Sequence, residues 1–131
     1  MYTVNGKEYE CSVIATLDVF NDKWKLAIIW NLLDDEKRFK ELTEAIPQIT
    51  SKTLSVKLKE LEEKKVIHRE VFAEVPLKVV YSLTPIGEKL RPLFREMYHW
   101  GIKYIQENGE VTGPDACCES SLAKKLGEPV S

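Results

Sequence analysis

Apolar residues along this 131-residue chain change their spacing from segment to segment, and the changes outline its elements. Between residues 50 and 63, Leu54, Leu58 and Leu61 recur at i, i+4 and i+7, the repeat of one helical face. Just upstream, a shorter helix is expected from Arg38 to Ile46, stopped by Pro47, because the residue before a proline avoids helical angles. Pro47-Gln48-Ile49-Thr50 then reads as a turn, and either Thr50 or Ser51 can cap the next helix with a side-chain oxygen. After that helix, two runs rich in β-branched and aromatic residues are expected as strands, His68 to Ala73 and Lys78 to Leu83. Between them lies Glu74-Val75-Pro76-Leu77, whose proline suits a turn or an edge.

The flanks read as helical. Ser12 to Asn21 predicts a short helix with Ile14, Leu17 and either Val19 or Phe20 inward, and Lys23 to Leu33 predicts a second carrying Trp24, Ile28, Trp30 and Leu32. Thr84-Pro85 is a helix start, a capping hydroxyl followed by proline at the first position. One helix is expected from Pro85 to about Asn108; its apolar residues, Leu90 to Ile105, exceed one core-facing stripe and point to dimer packing. We therefore expect a mainly α fold with a small β-wing, a winged helix-turn-helix, its terminal helices forming a dimer interface. Residues 1–108 would form the domain and residues 109–131 a tail, with a short helix from Asp115 towards Leu126 stopped by Gly127 and Pro129.

Helix, turn, helix and a two-stranded wing is an order that reads duplex DNA, the second helix entering the major groove by its first turns. Opposite the three leucines that helix carries Lys52, Val56 and Lys59, flanked by Thr53 and Ser55. Its carboxylates, Glu60, Glu62 and Glu63, crowd the far end, where they would not repel phosphate. Thr50, Ser51, Lys52, Thr53, Ser55, Val56 and Lys59 are thus the base-reading and groove-edge candidates, and Lys23, Lys25, Arg38, Lys40 and Lys78 the phosphate-contact candidates. The formal net charge, −2, is unhelpful for a DNA binder. Between Lys37 and Arg69, however, nine basic residues face five acidic ones, a local excess that favours phosphate.

The same residues resemble the HxlR-type transcriptional regulators, a branch of the MarR-like winged-helix proteins, from about Cys11 to Gly101. The resemblance is carried by Cys11, Thr16-Leu17-Asp18, Lys23-Trp24-Lys25, the Arg38–Leu42 run, Ile46-Pro47, Leu58–Glu62, His68–Val71, Val80–Thr84, Gly87 and Trp100-Gly101. Asn21-Asp22 stand where the family usually has small glycine-like residues; both tolerate turn and cap conformations. The resemblance implies a homodimer whose terminal helices hold two reading heads apart; a twofold dimer on double-stranded DNA would address an inverted repeat, and a repressor is expected. It also implies that Cys11 is a sensing thiol.

Three cysteines, Cys11, Cys117 and Cys118, are an awkward number for a disulfide framework. Each is expected at a helix N-terminus, where the dipole favours thiolate, although Glu8, Glu10, Asp115 and Glu119 oppose it. A redox or electrophile switch follows as an expectation: an oxidant or reactive electrophile attacks Cys11, and Cys117 or Cys118 resolves it. The alternatives are a DNA-binding regulator without thiol sensing and a winged helix that binds protein instead of DNA. No metal is expected, since the cysteines with His68 or His99 lack the short paired spacings of zinc sites. No cofactor or catalysis is expected either: no Cys-His-acid arrangement or phosphate-cradling glycine loop is present. With no signal-peptide-like start and no apolar span, a cytoplasmic location is expected.

Overall fold

The computed structural model describes residues 1–110, 112 and 122–127. It opens with a hairpin, β1 (Tyr2–Val4) and β2 (Lys7–Tyr9), joined at Asn5-Gly6. Both turn residues have positive φ, 50° and 81°, the conformation that an Asn-Gly hairpin turn requires. This hairpin was not among the expected elements, although its dipeptide is a strong local signal.

Helices α1 (Ser12–Val19) and α2 (Lys23–Leu32) follow. Asp22 caps α2, its Oδ1 accepting the Lys25 N–H at 2.8 Å. Next come β3 (Lys37–Arg38), α3 (Phe39–Ala45), α4 (Ser51–Glu63), β4 (Ile67–Phe72) and β5 (Lys78–Leu83). The second sheet has the order β3-β5-β4, antiparallel throughout, with Val80 opposite both Arg38 and Glu70. The second wing strand has the expected bounds, and the first lies one residue earlier than expected, Ile67–Phe72 against His68 to Ala73. Arg38, expected as the first helical residue, instead ends β3 and caps α3, its N–H donating to the Glu41 carboxylate at 2.9 Å.

Leu54, Leu58 and Leu61 of α4 are all at most 2 % exposed and pack with Ile28, Ile29, Leu33 and Leu42. Burial of each leucine is worth about 1.5–3 kcal/mol, so this stripe fixes the rotation of α4 about its axis. Thr84 fastens the end of the wing: its hydroxyl lies 2.8 Å from the Lys65 carbonyl and 3.0 Å from that of Val66, and accepts the Gly87 N–H at 3.2 Å. A Cβ on Gly87 would lie 2.2 Å from the Val66 carbonyl oxygen, so only glycine permits this approach.

Two expectations are corrected. The helix foreseen from Pro85 to Asn108 is two, α5 (Pro85–Glu88) and α6 (Arg91–Asn108), because Pro92 belongs in a first turn and cannot sit in a helix interior. Ile14 and Leu17, foreseen inward, are 55 % and 53 % exposed; α1 has no buried residue, and Phe20, just beyond it, enters the core.

In the expected tail, α7 (Leu122–Leu126) docks on the start of α6. Leu126 joins the core, Lys125 pairs with Asp34 at 3.4 Å, and Arg91 donates to the carbonyl oxygens of Lys124 and Lys125. Gly127, at φ 68°, ends the helix. The expected helix start at Asp115, and Cys117, Cys118 and Pro129, lie outside the described residues.

Candidate nucleic-acid interface and sensing thiol

Thr50 caps α4, accepting the Thr53 N–H at 3.1 Å, and its hydroxyl donates to Thr53 Oγ1 at 3.0 Å. The two hydroxyls are thereby oriented before any ligand arrives. Ser51, Lys52, Ser55, Val56 and Lys59 are exposed and Thr53 half-buried, so the face opposite the leucine stripe is open along the helix. No acidic residue lies in the first turn. The positive end of the helix dipole and two lysines therefore face outward together.

The phosphate candidates divide. Arg38, Lys40 and Lys23 are exposed, Lys23 lying 4.5 Å above the Trp24 ring and Lys40 4.0 Å from Glu44. Lys78 leaves the wing with its ammonium 5.1 Å from the Phe72 ring centre. Lys25 does not belong with them. It is 7 % exposed and its ammonium pairs with Glu60 at 2.7 Å, because α2 turns that position onto α4. The wing tip is apolar: Val75 is fully exposed and Leu77 65 % exposed.

Sequence reasoning missed a row of braces behind the recognition face. Lys57 pairs with Asp22 at 3.1 Å, Glu60 with Lys25, and Lys64 with Asp18 at 3.5 Å. Positions 57, 60 and 64 share one helical face at i, i+3 and i+7, a spacing that was visible; their partners on α1 and α2 were not. Asp18 also takes a short hydrogen bond from the Tyr9 hydroxyl and an ion pair from Lys7 at 3.1 Å. These donors, Tyr9 first, hold the Asp18 carboxyl down at about 2. An open cavity of about 710 Å³ lies between the hairpin, α1 and α4, with Asp18 and Tyr9 in its wall.

Cys11 is exposed and occupies the N-cap of α1, as expected. Its side chain makes no capping hydrogen bond, yet the nearby backbone N–H groups of Ile14 and Val13 lower the thiol pKa from its ordinary value. An exposed sulfur with stabilised negative charge is the form that attacks electrophiles. Among the described residues no group of three or more His, Cys, Asp or Glu side chains could hold a metal ion. No described helix is long and apolar enough to cross a membrane.

A capped helix, tight turn, exposed second helix and paired wing define a winged helix-turn-helix. The model of the HxlR-like helix-turn-helix family matches residues 19–109, and the chain belongs to that family of transcriptional regulators. It is 47 % identical over 94 residues to the HTH-type transcriptional regulator YdeP of Bacillus subtilis (strain 168), covering 72 % of this chain and 73 % of YdeP. The structure of the redox regulator HypR in its oxidized form is similar at a TM-score of 0.67 and 42 % identity, covering 77 % of this chain and 100 % of that one. The quinone-bound structure of YodB from B. subtilis is similar at a TM-score of 0.61 and 36 % identity, over 70 % of this chain and 96 % of YodB.

Proposed function

We propose that this regulator binds an inverted-repeat operator as a homodimer, represses transcription there, and releases the DNA when an oxidant or electrophile modifies Cys11. The observation that carries the DNA half is α4 itself: its leucines are buried, its first turn is capped and free of acid, and Ser51, Lys52, Ser55, Val56 and Lys59 stand open. Lys23, Arg38, Lys40 and Lys78 serve the phosphates, and Lys25 is withdrawn from that role. The dimer reading is supported by exposed apolar residues on two helices, Val13, Ile14 and Leu17 on α1 and Met97, Trp100 and Tyr104 on α6. A twofold dimer would place its recognition helices in half-sites roughly 34–36 Å apart.

The thiol half is supported by the exposure of Cys11, its place at the N-cap of α1 and its lowered pKa, and by relatives whose structures are of an oxidized redox regulator and a quinone-bound regulator. Whether Cys117 or Cys118 resolves an oxidised Cys11 is part of the same test. The experiment is titration of the chain against duplex from its own upstream region across a salt series, with and without a mild thiol oxidant, beside a non-reducing gel. Salt-dependent binding lost on oxidation supports the whole reading. Binding indifferent to oxidant keeps the regulator and removes the switch, and no binding at any salt removes the DNA role.

A further inference from the structure

Cys11 lies in a two-residue link between hairpin and α1, and both arms of that link converge on one carboxylate. Tyr9 and Lys7, before the link, reach Asp18; Asp18 itself lies in the last turn of α1, seven residues after Cys11. Besides the local Asn21, whose amide donates at 3.4 Å, Asp18 has one distant partner, Lys64, the C-cap of α4, forty-six residues away in sequence. Of the three braces behind the recognition helix, two come from Asp22 and Lys25 at the start of α2, whose later residues are core. The third comes from α1, which buries no residue and spans roughly two turns. Within one protomer the first turn of α1 is held by little apolar contact and by the polar contacts around the link, so it can loosen locally at low energetic cost.

We propose that Asp18 is a positioning residue: through Lys64 it holds α4 in its DNA-reading pose, and it relays modification of Cys11 to that helix. The relay rests on the thiol switch proposed above; the positioning role rests only on DNA binding. Consider an α,β-unsaturated carbonyl such as a maleimide. The Cys11 sulfur attacks the alkene, a carbon–sulfur bond forms as the carbon–carbon π bond opens, and the thiol proton ends on the neighbouring carbon by way of solvent. Nothing leaves and no oxidant is needed. The product is a neutral, bulky thioether at the N-cap, which no longer offers a thiolate charge to the positive end of α1. The first turn of α1 loosens, the loop closed by Tyr9 and Asp18 opens, and Lys64 loses its partner.

The sign of one substitution separates positioning from bulk electrostatics. Removing a negative charge alone tightens binding to any duplex, because phosphate repulsion falls. Loss of a brace does the opposite for the operator, because a misoriented α4 no longer fits its bases. The test uses the full chain carrying Cys117→Ser and Cys118→Ser, so that N-ethylmaleimide reaches Cys11 alone. Affinities for the upstream duplex and a scrambled duplex are measured by fluorescence anisotropy before and after the reagent.

Asp18→Asn should lower the operator-to-scrambled affinity ratio at least fivefold before alkylation. Alkylation should then change the ratio less than twofold, against at least tenfold in the parent. Asp18→Glu, which keeps the charge for Lys7, Tyr9 and Lys64, should retain both properties. Should Asp18→Asn fail to fold by circular dichroism, Lys64→Gln severs the same brace with the hairpin contacts intact. An Asp18→Asn protein that binds its operator as well as or more tightly than the parent overturns the positioning role. A full alkylation response in Asp18→Asn overturns the relay. So does a parent indifferent to the reagent, which also removes the thiol switch but leaves the positioning result readable; a parent that binds no duplex removes both.

Discussion

At the scale of single residues, surroundings decide chemistry that residue type leaves open. Lys23 and Lys25 flank one tryptophan and look equivalent as phosphate contacts, yet one is exposed and the other is 7 % exposed and paired with Glu60. Lys25→Met should therefore lower the melting temperature and leave the salt dependence of DNA binding unchanged. Lys40→Ala should do the reverse, lowering the slope of log affinity against log salt by about 1.8 for the dimer, about 0.9 for each protomer's phosphate, at unaltered stability. Cys11 is shaped by the N–H groups of Ile14 and Val13, which lower its pKa. Its maleimide reaction should consequently reach half-maximal rate at a pH below that of an unstructured cysteine peptide, and a midpoint at or above the peptide's would contradict the N-cap geometry. Asp18 is shifted in the same direction, at a lower pH. Its folded pKa of about 2 lies below its ordinary value of 3.8, so its partners stabilise the fold fully above pH 4. That contribution is lost as pH falls from 4 through 2, and in Asp18→Asn this part of the acid transition should disappear.

At the scale of elements, periodicity works where burial is one-sided. The stripe Leu54, Leu58 and Leu61 orients α4 from spacing alone, because the opposite face has to be solvated, and all three leucines are buried as it requires. Leu54→Ala should cost about 2–5 kcal/mol in chemical denaturation. Gly87→Ala should destabilise despite a conservative change, since its Cβ would meet the Val66 carbonyl at 2.2 Å; a melting temperature equal to the parent's would show that the turn yields. The same logic misled for α1, whose Ile14 and Leu17 form a stripe that faces outward. A stripe tells that a face seeks burial, not which partner buries it. The two-residue strand β3 was too short for any period, and the hairpin was legible only through Asn5-Gly6. Pro92 marked the break between α5 and α6 by its missing N–H, a signal outweighed by the apolar content around it.

At the scale of the whole molecule, the exposed residues of α1 and α6 amount to more apolar surface than an isolated winged helix needs, with Trp100 and Tyr104 stacked at 5.1 Å on the outer face. Sedimentation should report a dimer at micromolar concentration, and Trp100→Lys, placing charge in that face, should shift it towards monomer and weaken operator binding together. A monomeric parent would refute the dimer. Docking of α7 on α6 and Asp34 is a further whole-molecule property, since Lys125 and Asp34 are ninety-one positions apart. What the amino-acid order determined by itself was local: caps, the proline stops, the leucine stripe and the β-branched and aromatic runs, which together name the helix-turn-helix and its wing. Each depends on neighbours within a few residues, so each is written in spacing. Tertiary structure alone decided which lysines are free, that α1 turns its apolar side outward, and that Tyr9, Lys7, Asp18 and Lys64 converge. Those outcomes depend on pairs far apart in the chain, and spacing along a line carries no information about which distant charges the packed leucines bring within 4 Å.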